Sequence, residues 1–172
     1  MVGRFQRWCT ASLGRNRIEP HMIIPAQGLG RLDIRLRDND STFRSGVSDP
    51  AVAEAFMEHL TLSYLWVLGG YELIRSVDQR CSQNSTIVSP SLAGRVKEIK
   101  KAFERLRVPL AKFEPARAHQ NTDLPIAWPA MSPSAGVAWR VSEATYVSRQ
   151  ELGEFLLGLL EAIHAELERD TA

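Results

Sequence analysis

The chain has 172 residues and a formal net charge of +1, with 44% hydrophobic and 24% charged residues. This composition is typical of a folded globular protein and excludes a mainly disordered chain. The length suits one domain that buries roughly 70% of its unfolded surface. We predict a single domain over residues 1–172, with residues 1–48 as an N-terminal extension and residues 49–168 as a helical bundle.

Several classes of protein are excluded by short patterns. Cys9 and Cys81 are the only cysteines, too few for a disulfide-built fold, and no Cys/His cluster has zinc spacing. The N-terminus lacks the apolar core of a signal peptide, and no run approaches the 18 apolar residues of a membrane span. The stretch GLGRLD lacks the lysine of a P-loop. We expect a cytoplasmic protein without membrane contact, metal or cofactor.

Charge is distributed unevenly along the chain. Residues 1–48 carry eight arginines against four acids, and residues 90–117 carry eight Lys/Arg against three acids. Residues 143–172 carry two arginines against seven acids. Such asymmetry can create a phosphate-binding side. Alternatively, basic and acidic elements lie side by side and neutralise each other.

The first regular pattern is RLDIRLRD, residues 31–38, in which apolar and charged residues alternate. Strict alternation is typical of a half-buried strand, so we predict a short N-terminal strand here. The polar residues 38–48 are predicted to form a loop.

Two helices are predicted to begin with a capping residue followed by proline. Asp49-Pro50 starts a helix that runs to about Gln79, is apolar on most sides and is therefore central. Its Gly69-Gly70 pair indicates either a close helix contact or a bend. Ser89-Pro90 starts a basic helix whose apolar residues follow a seam with a 3.5-residue period. Pro109 is expected to kink or end that helix near Val108.

The rest of the chain is predicted to contain a loop, a hairpin and a last helix. Residues 114–136 include four prolines and read as a long loop. Residues 137–141 and 145–147 read as a small hairpin. Ser148 and Glu151 form a capping box before an amphipathic C-terminal helix. The predicted fold is thus mainly α, a helical bundle with a small β-hairpin and a short N-terminal strand.

Candidate functional residues cluster at the end of the basic helix. Arg107 can clamp a phosphate with its planar fork, and Lys112 can hold one as a point charge. Neither is a suitable general base at neutral pH, whereas His119, in the loop that follows, could be one. The other histidines of the helices, His59 and His164, are expected to be structural or solvated.

Glu72 is a charged residue on the largely apolar central helix and needs a partner. One interpretation is a surface pair with Arg75, three residues further on. The other is a buried polar cluster in which Glu72 faces Arg107 of the basic helix.

The order of helices over residues 50–168 and the segment ERLRVPLAKFE resemble the HEPN-like helical domains. Those domains carry an Arg, four to six residues and a His at this point, often within a sequence like LRNxxAHF. Arg107 matches the motif arginine, and Lys112 stands where the histidine is found. The resemblance implies a four- or five-helix bundle that forms a homodimer. It also implies either a metal-independent RNase of toxin or phage-defence systems or a non-catalytic RNA-binding or scaffolding module.

Two functions are therefore expected from the sequence. The first is a non-catalytic HEPN-like module that binds RNA or a partner protein, with Arg105, Arg107, Lys112 and Arg117 as anion contacts. The second is a metal-independent endoribonuclease in which Arg107 holds the scissile phosphate and His119 supplies the proton transfer. A structural dimer without a nucleic-acid role is a third alternative.

Overall fold

The computed structural model describes residues 3–43, 49–132 and 134–169. Within these residues the fold is mainly α with a small antiparallel sheet, as predicted. The helices are α1 Arg4–Leu13, α2 Ile23–Phe43, α3 Pro50–Gln83, α4 Pro90–Lys112 and α5 Arg149–Arg169. The strands are β1 Trp128–Ser132, β2 Gly136–Arg140 and β3 Tyr146–Ser148, and short 3-10 turns cover Gly14–Arg17, Pro20–Met22 and Arg117–His119.

The predicted N-terminal strand is wrong, because residues 31–38 lie inside α2. The buried positions of α2 recur every three or four residues, which is a helical period. They are Ala26, Gly30, Asp33, Leu36, Asp40 and Phe43. Two of these six buried residues are aspartates. Because the sequence marks them as polar, the helical period is not visible and residues 31–38 look like an alternating strand. Of the predicted loop, residues 38–43 are the last turns of α2, and residues 44–48 lie outside the described residues.

Both predicted cap-plus-proline starts are confirmed. The backbone N–H of Ala51 donates to the Asp49 carboxylate at 2.8 Å, and that of Leu92 donates to the Ser89 hydroxyl at 3.4 Å. Each bond satisfies an amide that has no partner within its helix. Pro109 does not end α4, which continues to Lys112 and stops at Phe113 with a left-handed φ of 57°.

One hydrophobic cluster joins all five helices and the sheet. Its most deeply buried large residues include Trp8, Leu36, Trp66, Phe103, Leu156 and Val137. The N-terminal helices thus complete the core of the bundle. The Gly69-Gly70 pair marks a close helix contact, since a Cβ on Gly70 would lie 2.5 Å from the ring of Phe103.

The predicted hairpin is confirmed as β2 and β3, with a third strand that the sequence analysis placed in a loop. The strand order is β1-β2-β3, both pairs being antiparallel. Trp128 pairs with Arg140, which in turn pairs with Tyr146, so these three residues form one row across the sheet. The adjacent row contains Trp139, which is 3% exposed and faces the core. Because successive residues of a strand point to opposite faces, the Trp128–Arg140–Tyr146 row lies on the outer face.

Candidate functional site

Helix α4 carries seven basic residues against two acidic ones. Lys97, Lys101 and Arg105 are spaced by four residues and therefore lie in one row along the helix. Lys97 and Lys101 are exposed, and within the described residues neither forms an ion pair. We call Lys97, Lys101 and Arg105 the α4 basic row.

Arg105 is fixed in place by Asp123. Its Nε and Nη2 donate to the two carboxylate oxygens of Asp123 at 2.7 and 2.9 Å, and the Asp123 side chain is 1% exposed. Burial raises the pKa of Asp123, but the bonds and charge of Arg105 lower it by more, so the net pKa lies below its ordinary value. The hydrogen bonds that Arg105 donates to Asp123 in turn raise the pKa of Arg105. This pair holds the loop after α4 against the helix.

His119 belongs to the same side of α4 as Arg105. Its Nδ1 lies 4.0 Å from the Asp123 carboxylate, and both His119 and Arg105 line one cavity of about 300 Å³. The same cavity is lined by Lys101, Tyr146 and Glu151, and by Phe155, which is 51% exposed. Lys101 and Arg105 of the α4 basic row therefore border a groove that leads to the sheet at Tyr146.

Arg107 faces a different direction. Its guanidinium lies over the ring of Tyr71 on α3, 5.1 Å from the ring centre. Two residues correspond to about 200° of helix rotation, so Arg107 and Arg105 point to nearly opposite sides of α4. Arg107 and His119 are thus not brought together within one chain, contrary to what the endoribonuclease interpretation needs.

The other two predicted anion contacts are open to solvent. Lys112 is exposed at the end of α4, and its Nζ lies 3.7 Å from Glu114. Arg117 is exposed on the turn Arg117–His119. Both can reach a ligand, but Lys112 is partly neutralised by its neighbour.

The prediction of Glu72 as a buried partner of Arg107 is wrong. The Glu72 side chain is 47% exposed and accepts a 2.7 Å bond from Arg75, the alternative surface pair. The ion pair between α3 and α4 is formed instead by Asp78, which accepts a hydrogen bond from Lys100 at 2.7 Å. Asp78 lies about 1.7 turns beyond Glu72 on α3. The bond that Lys100 donates to Asp78 raises the pKa of Lys100.

A buried charged network, which was not predicted from the sequence, surrounds two aspartates of α2. Asp33 is fully buried and accepts from Arg4 at 2.6 Å and from Trp8 at 3.3 Å, both on α1. It also accepts from Arg37 at 3.1 Å and from Arg149 at 3.2 Å. Four donors on three helices thus converge on one carboxylate.

Asp40 is the second centre of this network. Its Oδ2 accepts from Arg149 and Gln150, each at 2.6 Å. Its Oδ1 contacts His59 Nε2 at 2.8 Å and the backbone N–H of Val137 at 3.3 Å. An ionised carboxylate only accepts, so His59 donates from Nε2. Burial raises the pKa of Asp40, but the bonds from His59 and Gln150 and the charge of Arg149 lower it by more, so the net pKa lies below its ordinary value.

This network is structural in character. Asp33, Asp40 and Arg149 are each 0% exposed, so no substrate reaches them in this conformation. The expectation that His59 is structural is confirmed by its bond to Asp40. One signal was available in the sequence: Asp33 and Asp40 are seven residues apart, which places them on the same face of a helix.

No group of three or more His, Cys, Asp or Glu side chains in residues 3–43, 49–132 and 134–169 is arranged to hold a metal ion. No helix within those ranges is both long and apolar enough to cross a membrane. Comparison with protein-family models, curated proteins and solved structures found no match. The HEPN resemblance therefore stays a prediction.

Proposed function

We propose that this chain is a non-catalytic module that binds RNA through the α4 basic row. The observation that carries the proposal is that Lys97 and Lys101 project from one exposed face of α4 without an acidic partner in the described chain. Unpaired cations in a row provide the electrostatic attraction that a phosphate backbone requires. Lys112 and Arg117 extend the same basic character beyond the end of α4.

The geometry favours binding over cleavage. Arg107 contacts Tyr71, while His119 lies beside Asp123 on the other side of α4. A ribonuclease needs the phosphate-binding and proton-transfer groups on one reacting site. The HEPN resemblance implies a toxin or phage-defence system, and we propose that this protein acts in such a system.

The double variant Lys97→Ala/Lys101→Ala tests this function. We expect weaker binding of a labelled RNA strand, and a plot of log affinity against log salt whose slope is smaller by about 1.4, because two phosphate contacts are lost. The measurement is fluorescence anisotropy at several salt concentrations. The double variant Arg35→Ala/Arg75→Ala removes the same charge from α2 and α3 and serves as the control.

Three outcomes would contradict the proposal. Equal salt slopes for the wild type and for Lys97→Ala/Lys101→Ala would show that these lysines do not contact the RNA phosphates. Absence of RNA binding would shift the assignment to a protein partner. RNA cleavage in the presence of EDTA that disappears in His119→Ala would restore the endoribonuclease interpretation.

We further propose that the chain forms a homodimer through the outer face of α3. Met57 and Leu65 are 62% and 50% exposed, and with Thr61 between them they form one row at four-residue spacing. An exposed apolar row on a helix is a surface that a second copy can bury.

For Leu65→Glu we expect a shift from dimer to monomer, since a carboxylate would have to be buried in the interface. Sedimentation velocity at several protein concentrations measures the shift. Leu13→Glu changes a similarly exposed leucine, 54% exposed, on α1 and should leave the dimer intact. A monomeric wild type, or equal behaviour of the two variants, would exclude this interface.

A further inference from the structure

The outer face of the sheet presents two exposed aromatic rings on either side of an arginine. Trp128 is 56% exposed and Tyr146 is 53% exposed, and Arg140 lies between them in the same cross-strand row. Arg140 is exposed, and within the described residues it has neither an ion-pair partner nor an aromatic ring beneath it. Rings and cation are therefore all available to a ligand.

The spacing of this row suits an unpaired strand of nucleic acid. Adjacent strands lie 4.7–4.9 Å apart, so Trp128 and Tyr146 are separated by about 10 Å. Successive bases of a duplex are stacked at about 3.4 Å, and two bases held on these rings would be well apart from each other. Such splayed bases occur in single strands, with the sugar-phosphate backbone passing between them. Arg140 lies where that backbone would pass.

The row is continuous with the α4 basic row. Tyr146 lines the cavity that contains Lys101, Arg105 and His119, and it also lines a second cavity of about 510 Å³ over the sheet. The second cavity is bordered by Ala130, Ala138 and Ser148, the small residues of the next outward-facing row. Tyr146 thus lines both the basic groove and the second cavity beside the sheet.

One acidic residue lies on this path. Glu151 is exposed and lines both cavities. A carboxylate repels phosphate but accepts hydrogen bonds from the amino groups of bases. Lys101 and Arg105 line one of the two cavities that Glu151 lines, so cations lie near the carboxylate on that side.

We propose that the outer face of the sheet stacks two bases of a single-stranded RNA on Trp128 and Tyr146, with Arg140 holding the phosphate between them. Aromatic stacking is tolerant of sequence, because every base has a π-face. This inference rests on the proposed RNA-binding function and adds that the ligand is single-stranded.

The test uses a labelled oligouridine of about ten nucleotides and an RNA duplex of similar length. We expect Trp128→Ala and Tyr146→Ala each to weaken oligouridine binding by about 5- to 100-fold without changing the salt slope, since stacking is not ionic. Arg140→Ala should weaken binding and also lower the slope by about 0.7. Trp128→Phe keeps a ring and should bind more tightly than Trp128→Ala. Ile24→Ala, at a residue 80% exposed on α2, is the control.

Tryptophan fluorescence gives an independent measurement. The chain has four tryptophans, and Trp8, Trp66 and Trp139 are at most 3% exposed. A change in quenching by a soluble quencher when oligouridine is added therefore reports Trp128. We expect protection by oligouridine and none by the duplex.

The outcomes separate this inference from the function on which it rests. If the ring variants bind oligouridine as the wild type does, while Lys97→Ala/Lys101→Ala still lowers the salt slope, the sheet is not a binding surface and the RNA-binding function stands. Equal protection of Trp128 by duplex and single strand would overturn the preference for single strands. If the wild type binds neither RNA, both proposals fail. The Trp128–Arg140–Tyr146 row is then assigned to contact with a protein.

Discussion

Asp40→Asn is expected to lower the free energy of unfolding by about 3–5 kcal/mol, the cost of removing one partner from a buried ion pair. Each carboxylate oxygen of Asp40 accepts two bonds, from Arg149 and Gln150 on one side and from His59 and Val137 on the other. An NH₂ group in place of one oxygen faces the Arg149 guanidinium, and in place of the other it faces the backbone N–H of Val137; both of these groups can only donate. No rotation of the asparagine side chain avoids this conflict.

Chemical denaturation followed by circular dichroism measures this effect. Asp38→Asn, at an exposed position of the same helix, is the matched control and should change stability by less than about 0.5 kcal/mol. A loss below about 1 kcal/mol in Asp40→Asn would show that the network adds little to stability.

The same variant should show a weaker dependence of stability on acid. The pKa of Asp40 in the folded chain lies below its ordinary value, so the unfolded chain binds this proton at a higher pH than the folded chain does. Its contribution is present in full above the unfolded pKa and is lost as pH falls through the folded pKa. The gap between wild type and Asp40→Asn should therefore narrow below about pH 4. A gap that stays constant to the acid limit would contradict this assignment.

Gly30→Ala is expected to destabilise the fold by about 1–3 kcal/mol, although alanine is the better helix former. A Cβ at position 30 would lie 2.4 Å from Cγ of Trp8, whose side chain is fully buried. Accommodating it requires the indole to move, and the indole N–H donates to Asp33. The contact between α1 and α2 and the buried network would both be disturbed.

Gly28→Ala is the matched control in the same helix. Nothing lies within 4 Å of a Cβ at position 28, so only the helix propensity changes. We expect a gain of about 0.5–1 kcal/mol, opposite in sign to the effect at position 30. Thermal and urea denaturation of both variants give the comparison. Two stabilised variants would show that Trp8 can move aside at little cost.

Local signals predicted much of this fold. The Asp49-Pro50 and Ser89-Pro90 starts depend on neighbouring residues alone, and both were correct. The hairpin was found because its strands and turn are consecutive. Strand β1 was missed because a strand with Pro129 in a proline-rich segment shows its character only through pairing with β2.

The candidate site was less predictable because it depends on contacts between distant residues. Arg105 and Arg107 are two residues apart in similar sequence surroundings. Their difference is visible only in the fold, where Arg105 bonds to Asp123 and Arg107 lies over the ring of Tyr71. The Trp128–Arg140–Tyr146 row combines three segments whose register the sequence does not specify. Arg149 donates to both aspartates of α2 but is 116 and 109 residues away from them in the chain, so neighbouring residues gave no sign of this contact.

The position of Arg149 also has a consequence for synthesis on the ribosome. Its partners Asp33 and Asp40 are 116 and 109 residues earlier in the chain, so they emerge long before it does. Asp33 has Arg4 and Arg37 as earlier partners, but until α5 has left the exit tunnel Asp40 lacks the charge of Arg149 and would be costly to bury. We therefore expect the end of α2 to stay hydrated and loosely packed in the nascent chain. The core of the bundle is complete only after α5 has packed against it.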